Sequence, residues 1–467
     1  MLPTASLITG PTFEEMLHPD KVDPAIRSKA LRARSEDPLD PVNLFNITWR
    51  DANGRIYYDV LPAQLTGVDA PIVVLYAKDF PTGSHKVGAA YSVLLEKVLL
   101  GEVDPARHTL VWPSTGNYGI GGAWVGSRMN FDSVVILPAG MSQERFALIE
   151  SYGARLIKTP GCESNVKEIY DKCKQLEAAD PHRIRILNQF EVFGNYRFHY
   201  YVTGNTVIEL AAELERQGIG HGRVAAFVAA MGSAGTIAAG DRLKQAWPDH
   251  LIIGLEPMQC PTLSLNGYGA HDIQGIGDAH VTWIHNVLNM DAVMCIDDVE
   301  CKKGLQLLTE EAGWKTMIER YGVPAESVKR MATDFGISGV CNVLGAIKAA
   351  KYYELGPKDV IVTVCTDAID RYRSVMAQMT AFYGPMDETE AAVRLVSIFH
   401  KQKTDWVQEG TRDARRRWHN LKYYTWVEQQ GKSVEELNAQ LNLAFWEREQ
   451  AMVAEIDRLL LEYRASR

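Results

Sequence analysis

Three short stretches of the chain combine a reactive or hydrogen-bonding side chain with glycine. Pro81-Thr82-Gly83-Ser84-His85-Lys86-Val87-Gly88 sets a lysine among small residues. A solvated surface lysine needs no such neighbours, whereas a lysine joined as an imine to an aldehyde cofactor needs close backbone approach around it. Pro113-Ser114-Thr115-Gly116-Asn117-Tyr118-Gly119-Ile120-Gly121-Gly122-Ala123 offers successive backbone N–H groups that suit a carboxylate, and Asn117 can add a side-chain donor. Taken alone, this stretch reads equally well as a tight turn with a helix cap. Met231-Gly232-Ser233-Ala234-Gly235-Thr236 is a cradle for a phosphate dianion, through bare amides and the Ser233 and Thr236 hydroxyls. No lysine follows its second glycine and it lacks the three-glycine spacing of a dinucleotide fingerprint, so a small phosphate ester suits it better than a nucleoside triphosphate.

Each stretch sits where an apolar, strand-like run turns into a helical pattern. The runs are 72–76 before the lysine, 109–112 before the second stretch and 224–229 before the third, with further strand candidates at 133–137, 155–158, 251–255 and 360–364. Strands alternating with helices predict an α/β fold with parallel sheets, whose ligands gather at the carboxyl ends of the strands. Residues 1 to about 40 carry prolines and charge without periodicity and read as an irregular arm; 46–50 and 55–59 flank Asp51-Ala52-Asn53-Gly54, a hairpin signal. From about Pro385 the strand signals stop, and 389–402, 411–429 and 433–464 read as helices, the last opened by a capping box of Ser433 and Glu436. Its stripe of Leu437, Leu441, Phe445, Met452, Ile456, Leu459, Leu460 and Tyr463 predicts packing on the body or on another subunit, and so a homodimer or larger assembly. The organisation expected is an N-terminal arm and hairpin (1–70), a catalytic core of two α/β lobes (71–384, the smaller lobe about 105–200) and a helical C-terminal extension (385–467).

Composition sets the class. Of 467 residues, 46% are hydrophobic and 23% charged, as in an ordinary globular protein. A net charge of −9 speaks against a nucleic-acid groove or an anionic membrane face, and Arg415-Arg416-Arg417 reads as a solvated face. Seven scattered cysteines lack the paired spacings of a metal site and point to a reducing compartment. No leader-like segment opens the chain and no run reaches membrane-spanning length, so the expected location is the cytoplasm.

A lysine, a carboxylate loop and a phosphate loop are together what an enzyme using pyridoxal 5'-phosphate on an amino acid requires. From Ile72 to Ser374 the chain resembles the cysteine synthase and cystathionine β-synthase group of fold-type II pyridoxal phosphate enzymes. The matching stretches are Ser84-His85-Lys86, Ser114 to Gly119, Met141-Ser142-Gln143-Glu144-Arg145, Gln189-Phe190, Gly232 to Thr236, Glu256-Pro257, His271 to Gly277, Gly336-Ile337-Ser338 and Arg371-Tyr372. The resemblance implies the two-lobed, tryptophan synthase β-like fold, with the cofactor between the lobes. It implies that Lys86 is the Schiff-base lysine and takes the substrate's α-proton. Ser114, Thr115, Gly116, Asn117 and Tyr118 would bind the substrate carboxylate, Asn117 also reaching the cofactor's ring oxygen, with Gln189 assisting. Gly232, Ser233, Ala234, Gly235 and Thr236 would hold the phosphate, and Gly275, Ile276 and Gly277 would line the substrate pocket. Ser338 would face the pyridine nitrogen, where a neutral hydroxyl leaves the ring a weaker electron sink and favours loss of a group from Cβ.

The activity implied is β-replacement on an activated L-serine, such as O-acetylserine with sulfide or another small nucleophile, through an α-aminoacrylate. β-Elimination from cysteine or a hydroxyamino acid is the alternative, and a non-catalytic regulatory relative stands behind both. The chain departs from the family at Tyr118, where a small residue is commoner and a phenol would narrow the pocket or meet the substrate. Pro-Thr-Gly-Ser-His-Lys leans toward the threonine synthase and tryptophan synthase β-subunit pattern. His85 and His199 read as packed histidines, Cys341 as a buried thiol, and Asp367 and Asp370 as helix caps or partners of a substrate amino group.

Overall fold

The computed structural model describes residues 8–162 and 164–466; the part of the N-terminal arm at 1–7 lies outside the described residues. Two sheets form the frame. The smaller has the order β5-β4-β3-β6 and is parallel throughout, with β3 Thr109–Pro113, β4 Asp132–Pro138, β5 Arg155–Thr159 and β6 Ile184–Ile186. The larger has the order β1-β2-β10-β7-β8-β9-β11, from β1 Tyr58–Val60, β2 Ile72–Tyr76, β7 Val224–Ala230, β8 Leu251–Pro257, β9 Ala292–Ile296, β10 Val360–Cys365 and β11 Val407–Glu409. Its five inner strands are parallel, and the short edge strands β1 and β11 run antiparallel to their neighbours.

The strands read as unbroken apolar runs because both faces are covered. Along β2, Val73 and Leu75 enter one core while Ile72, Val74 and Tyr76 enter another, and β10 divides in the same way. The helices Lys86–Leu99 and Asn117–Arg128 pass between the two sheets and approach closely. A Cβ on Gly121 would lie 3.0 Å from the Cα of Val87, so glycine there lets the start of one helix press on the other. This contact brings the end of β2 beside the end of β3.

Several expectations are corrected. The arm is not irregular: it carries the helices Phe13–Leu17 and Pro24–Glu36, capped by Thr12 and Asp23. The Asp51–Gly54 turn forms, with Gly54 at φ +77°, but its strands reduce to one bridge, Arg50 to Ile56. Strand β11 interrupts the helical C-terminal region. The helix expected at 433–464 breaks into Val434–Ala439 and Leu443–Ala465. Gln440 is turned inward there, taking a hydrogen bond from Lys422 Nζ at 2.6 Å, and Asn442 caps the second helix. The capping box of Ser433 and Glu436 is present.

Ile456, Leu460 and Tyr463 share one core with Phe13, Tyr91 and Leu95, while Leu441 is half exposed. Most of the stripe is thus covered by the same chain, so the stripe by itself does not call for a second copy. Charge fastens the clasp: Asp457 accepts from the N–H groups of Phe13 and Glu14 at 2.7 and 3.1 Å, and Arg464 pairs with Glu15 at 2.9 Å. The arginine run is only partly solvated, since Arg415 donates to the Met290 carbonyl and Arg417 to those of Leu263 and Ser264. Among the described residues, no helix is long and apolar enough to cross a membrane.

Candidate active site

The loops that carry the candidate residues leave the carboxyl ends of parallel strands from both sheets: Lys86 after β2, 114–119 after β3, 232–236 after β7, 275–277 after β8. Lys86 is the first residue of its helix and is buried, and its Nζ donates to Ser233 Oγ at 2.9 Å. The lysine of one junction therefore rests on the 232–236 loop of another. Burial lowers the Lys86 ammonium to about 8, with Asp278 opposing the shift, so a useful fraction of neutral amine exists near neutral pH.

Ser233 Oγ also accepts from Asn195 Nδ2 at 2.9 Å, and Asn195 Nδ2 holds the Gln189 carbonyl at 2.9 Å. Ala234 has φ +60°, a left-handed backbone that costs a residue with a Cβ energy and recurs at anion-binding nests. A Cβ on Gly235 would lie 2.1 Å from Asn195 Oδ1, which explains the glycine. Gly277 N–H donates to the Met231 carbonyl at 2.9 Å and a Cβ on Gly232 would lie 3.0 Å from the Gly275 carbonyl, so 275–277 lies against the start of the loop.

The 114–119 turn is built differently. Ser114 Oγ accepts from the N–H groups of Gly116 and Gly119 at 2.9 and 2.8 Å, so its hydroxyl closes the turn instead of facing a ligand. Asn117 Nδ2 donates to Asp367 Oδ2 at 2.7 Å, and Arg371 donates to Asn117 Oδ1. Thr115 is buried in the same turn. Tyr118 corrects the expectation placed on it. Its hydroxyl donates to the Leu187 carbonyl at 3.0 Å and its ring meets Trp112 edge-on, because the second position of this helix faces the core and not the cleft.

Sequence reading passed over the buried network beside that turn. Arg145, wholly buried, pairs with Asp367 at 3.4 Å and donates to Tyr372 Oη at 2.9 Å and to Gln274. Asp367 is neither a helix cap nor solvent-facing; it joins Arg145, Asn117 and Tyr372. Asn195 and Asp278 were also missed. No local pattern marks Asn195, whereas an acid directly after Gly275-Ile276-Gly277 was a usable signal for Asp278. His85 is packed as expected, 3.3 Å from Thr366 Oγ1 and edge-on to His199 at 4.8 Å. Burial drives both imidazoles well below their ordinary range, so they are neutral.

The residues fit a phosphorylated aromatic aldehyde. Ser338 Oγ is buried at the start of the helix Ile337–Tyr352 and has no hydrogen-bond partner among the described residues. A buried hydroxyl without a partner is uncommon unless a ligand completes it, and a ring nitrogen would do so. Lys86 supplies the amine and 232–236 the anion cradle.

Comparison with known proteins agrees. A family model described as pyridoxal-phosphate dependent enzyme matches residues 66–367. The cysteine synthase of Staphylococcus aureus (strain N315) is 31% identical over 296 residues, covering 63% of this chain and 84% of that protein. A hydrogen sulfide-producing enzyme of Fusobacterium nucleatum, solved with an α-aminoacrylate intermediate, superposes with a TM-score of 0.57 at 25% identity, over 73% of this chain and 92% of that one. The O-acetyl serine sulfhydrylase isoform 3 of Entamoeba histolytica gives the same TM-score of 0.57 and the same coverage, 73% and 92%, at 24% identity, and shares the fold.

Proposed function

Because the chain belongs to the pyridoxal-phosphate dependent enzymes and has the fold-type II architecture, we propose that it carries out β-replacement on an L-serine derivative. The leading substrates are an O-acetyl ester and sulfide or another small nucleophile. The observation that carries this reading is the 2.9 Å contact of Lys86 Nζ with Ser233 Oγ, which joins a reactive amine to an anion cradle in one buried place. The cofactor, when bound, supplies the electron sink that makes the substrate's Cα–H acidic.

The chain's own residues do the rest. Lys86 Nζ takes the proton from Cα, for which its lowered basicity suits it. The N–H groups of 232–236 with Ser233 and Thr236 would hold the phosphate, and the Ser338 hydroxyl would meet the ring nitrogen without a formal charge. The backbone of 114–118, supported from behind by Arg145, Asp367 and Arg371, receives the substrate carboxylate, with Gln189 beside it. Residues 275–277 form the wall on the Cβ side. All seven cysteines are free, which supports a reducing compartment, and we place the chain in the cytoplasm.

The test is a visible spectrum of the purified protein followed by product analysis. A band near roughly 410 nm that moves to longer wavelength with O-acetylserine, L-serine or L-cysteine is expected, with cysteine formed when sulfide is present. Pyruvate and ammonia released at a rate untouched by sulfide would replace this reading with β-elimination. No band after the cofactor is supplied would overturn both.

A further inference from the structure

The match to the pyridoxal-phosphate family ends at residue 367, yet the chain beyond it reaches back to the 232–236 loop. The segment 281–285 makes the connection. Thr282, buried, donates from Oγ1 to the Ser233 carbonyl at 2.9 Å, and the Trp283 N–H donates at 2.9 Å to the carbonyl of Phe190, the residue after Gln189. Three carbonyls of the same segment are taken by the C-terminal region. Lys422, the last residue of the helix Arg412–Lys422, donates from Nζ to the carbonyls of Trp283 and His285 at 3.0 and 2.7 Å, and Trp426 Nε1 donates to that of Val281 at 2.8 Å. Gln440 completes the grip, accepting from Lys422 Nζ and donating from Nε2 to the Trp283 carbonyl at 3.1 Å. The Trp283 and Trp426 rings lie 5.9 Å apart.

In a trans peptide the C=O and the N–H point in opposite directions. The Thr282 bond to the Ser233 carbonyl therefore also sets the direction of the Ala234 N–H, one of the amides of the cradle. Ala234 has a left-handed backbone, which persists only where the surroundings hold it. Lys422 and Trp426 are wholly buried, and none of the three oxygens around Lys422 Nζ belongs to a carboxylate. Burying a lysine without a counter-charge is costly, and what it secures here is the backbone of 281–285. Resting on the reading of 232–236 as the cofactor's phosphate cradle, we propose that Lys422 and Trp426 are positioning residues for that cradle, acting through Thr282. The C-terminal helices then set how tightly the phosphate is held, although none of their residues named here touches the loop directly.

The experiment titrates the full-length apo-protein with pyridoxal 5'-phosphate and with pyridoxal, which lacks the phosphate, following each by absorbance, with a thermal melt of every variant beside it. The variants are Thr282→Val, Lys422→Met and Trp426→Phe, with Ile456→Val as a control in the C-terminal helix that packs on the N-terminal one. The readout is the ratio of the two affinities, which a general loosening of the fold leaves alone. Thr282→Val and Lys422→Met are expected to lower the phosphate's advantage about tenfold and Trp426→Phe, which loses a single donor, about threefold. Ile456→Val lowers the melting temperature and leaves the ratio unchanged. Equal losses for both ligands, an unchanged ratio in Trp426→Phe, or a like drop in Ile456→Val overturns the proposal. Where Lys422→Met does not fold, Trp426→Phe decides. A wild-type preference for the phosphate that survives every substitution overturns only the role of the C-terminal helices, whereas a wild type that binds pyridoxal as tightly as its phosphate removes the cradle reading itself.

Discussion

Two turns with almost the same composition have opposite uses. Both 114–119 and 232–236 join a parallel strand to a helix through glycine, serine and threonine. In the first, Ser114 is committed to the backbone of its own turn, and Asn117 is gripped by Asp367 and Arg371. In the second, Ser233 Oγ takes only a long 3.4 Å bond from its own turn, at Gly235 N–H, and is held mainly by Lys86 and Asn195 at 2.9 Å, while Ala234 has a left-handed backbone. The first turn is closed by its own hydroxyl; the second is tied to residues distant in the chain. A pattern of small hydroxyl residues and glycine therefore specifies a turn, and the partners brought by the rest of the fold specify what the turn is for.

The largest effect expected on this contrast is from Lys86→Ala, which removes the amine that meets the second turn. The visible band disappears and turnover falls by about 10³-fold or more, as an absorbance spectrum and a steady-state assay will show. Glycine replacement separates the turns next. Gly235→Ala sets a Cβ 2.1 Å from Asn195 Oδ1 and is expected to weaken cofactor binding at least tenfold. Gly116→Ala sets one 2.9 Å from Arg145 Nε and is expected to cost about 1–3 kcal/mol in a denaturant melt.

The two serines give a finer comparison. Ser114→Ala leaves two buried N–H groups unsatisfied and destabilises by about 1–3 kcal/mol, with cofactor affinity nearly unchanged. Ser233→Ala does the reverse, so equal effects from both would erase the distinction. Cofactor uptake by the apo-protein should rise with pH, because burial holds the Lys86 ammonium near 8 and the neutral amine increases as pH passes that value. The rate should gain about tenfold between about pH 7 and about pH 9, and a flat profile would mean that the amine is not limiting. Smallest of all, Tyr118→Phe should cost about 1 kcal/mol and leave KM where it was, since its phenol serves the Leu187 carbonyl.

Much of the site was legible because its parts are local. Lys86 and Ser233 stand in short stretches whose residue types announce a function, each at a strand end that periodicity could locate, whereas Ser338 came only from the family resemblance. The strands that escaped notice are of two kinds. Strands β6 and β11 are three residues long, too short to show a period. Strand β9 is wholly buried, and without polar alternation its five apolar residues do not announce themselves as a strand. Tyr118 was misplaced for a related reason: a residue next to a binding loop is also the second residue of a helix, and the helix faces its side chain inward.

The sequence alone determined the α/β alternation, the amine, the two glycine-bearing turns and the family, since each rests on residues adjacent in the chain. Only the tertiary structure decided that Ser233 belongs to Lys86 and Asn195, that Asn117 is held by Asp367 and Arg371, and that the C-terminal stripe is covered by its own N-terminal helix. These pairings join residues far apart in sequence, and their cause is the packing of two sheets through two close-set helices. Burial, which shifts Lys86 and Asp278 toward neutral pH, is likewise a property of that packing.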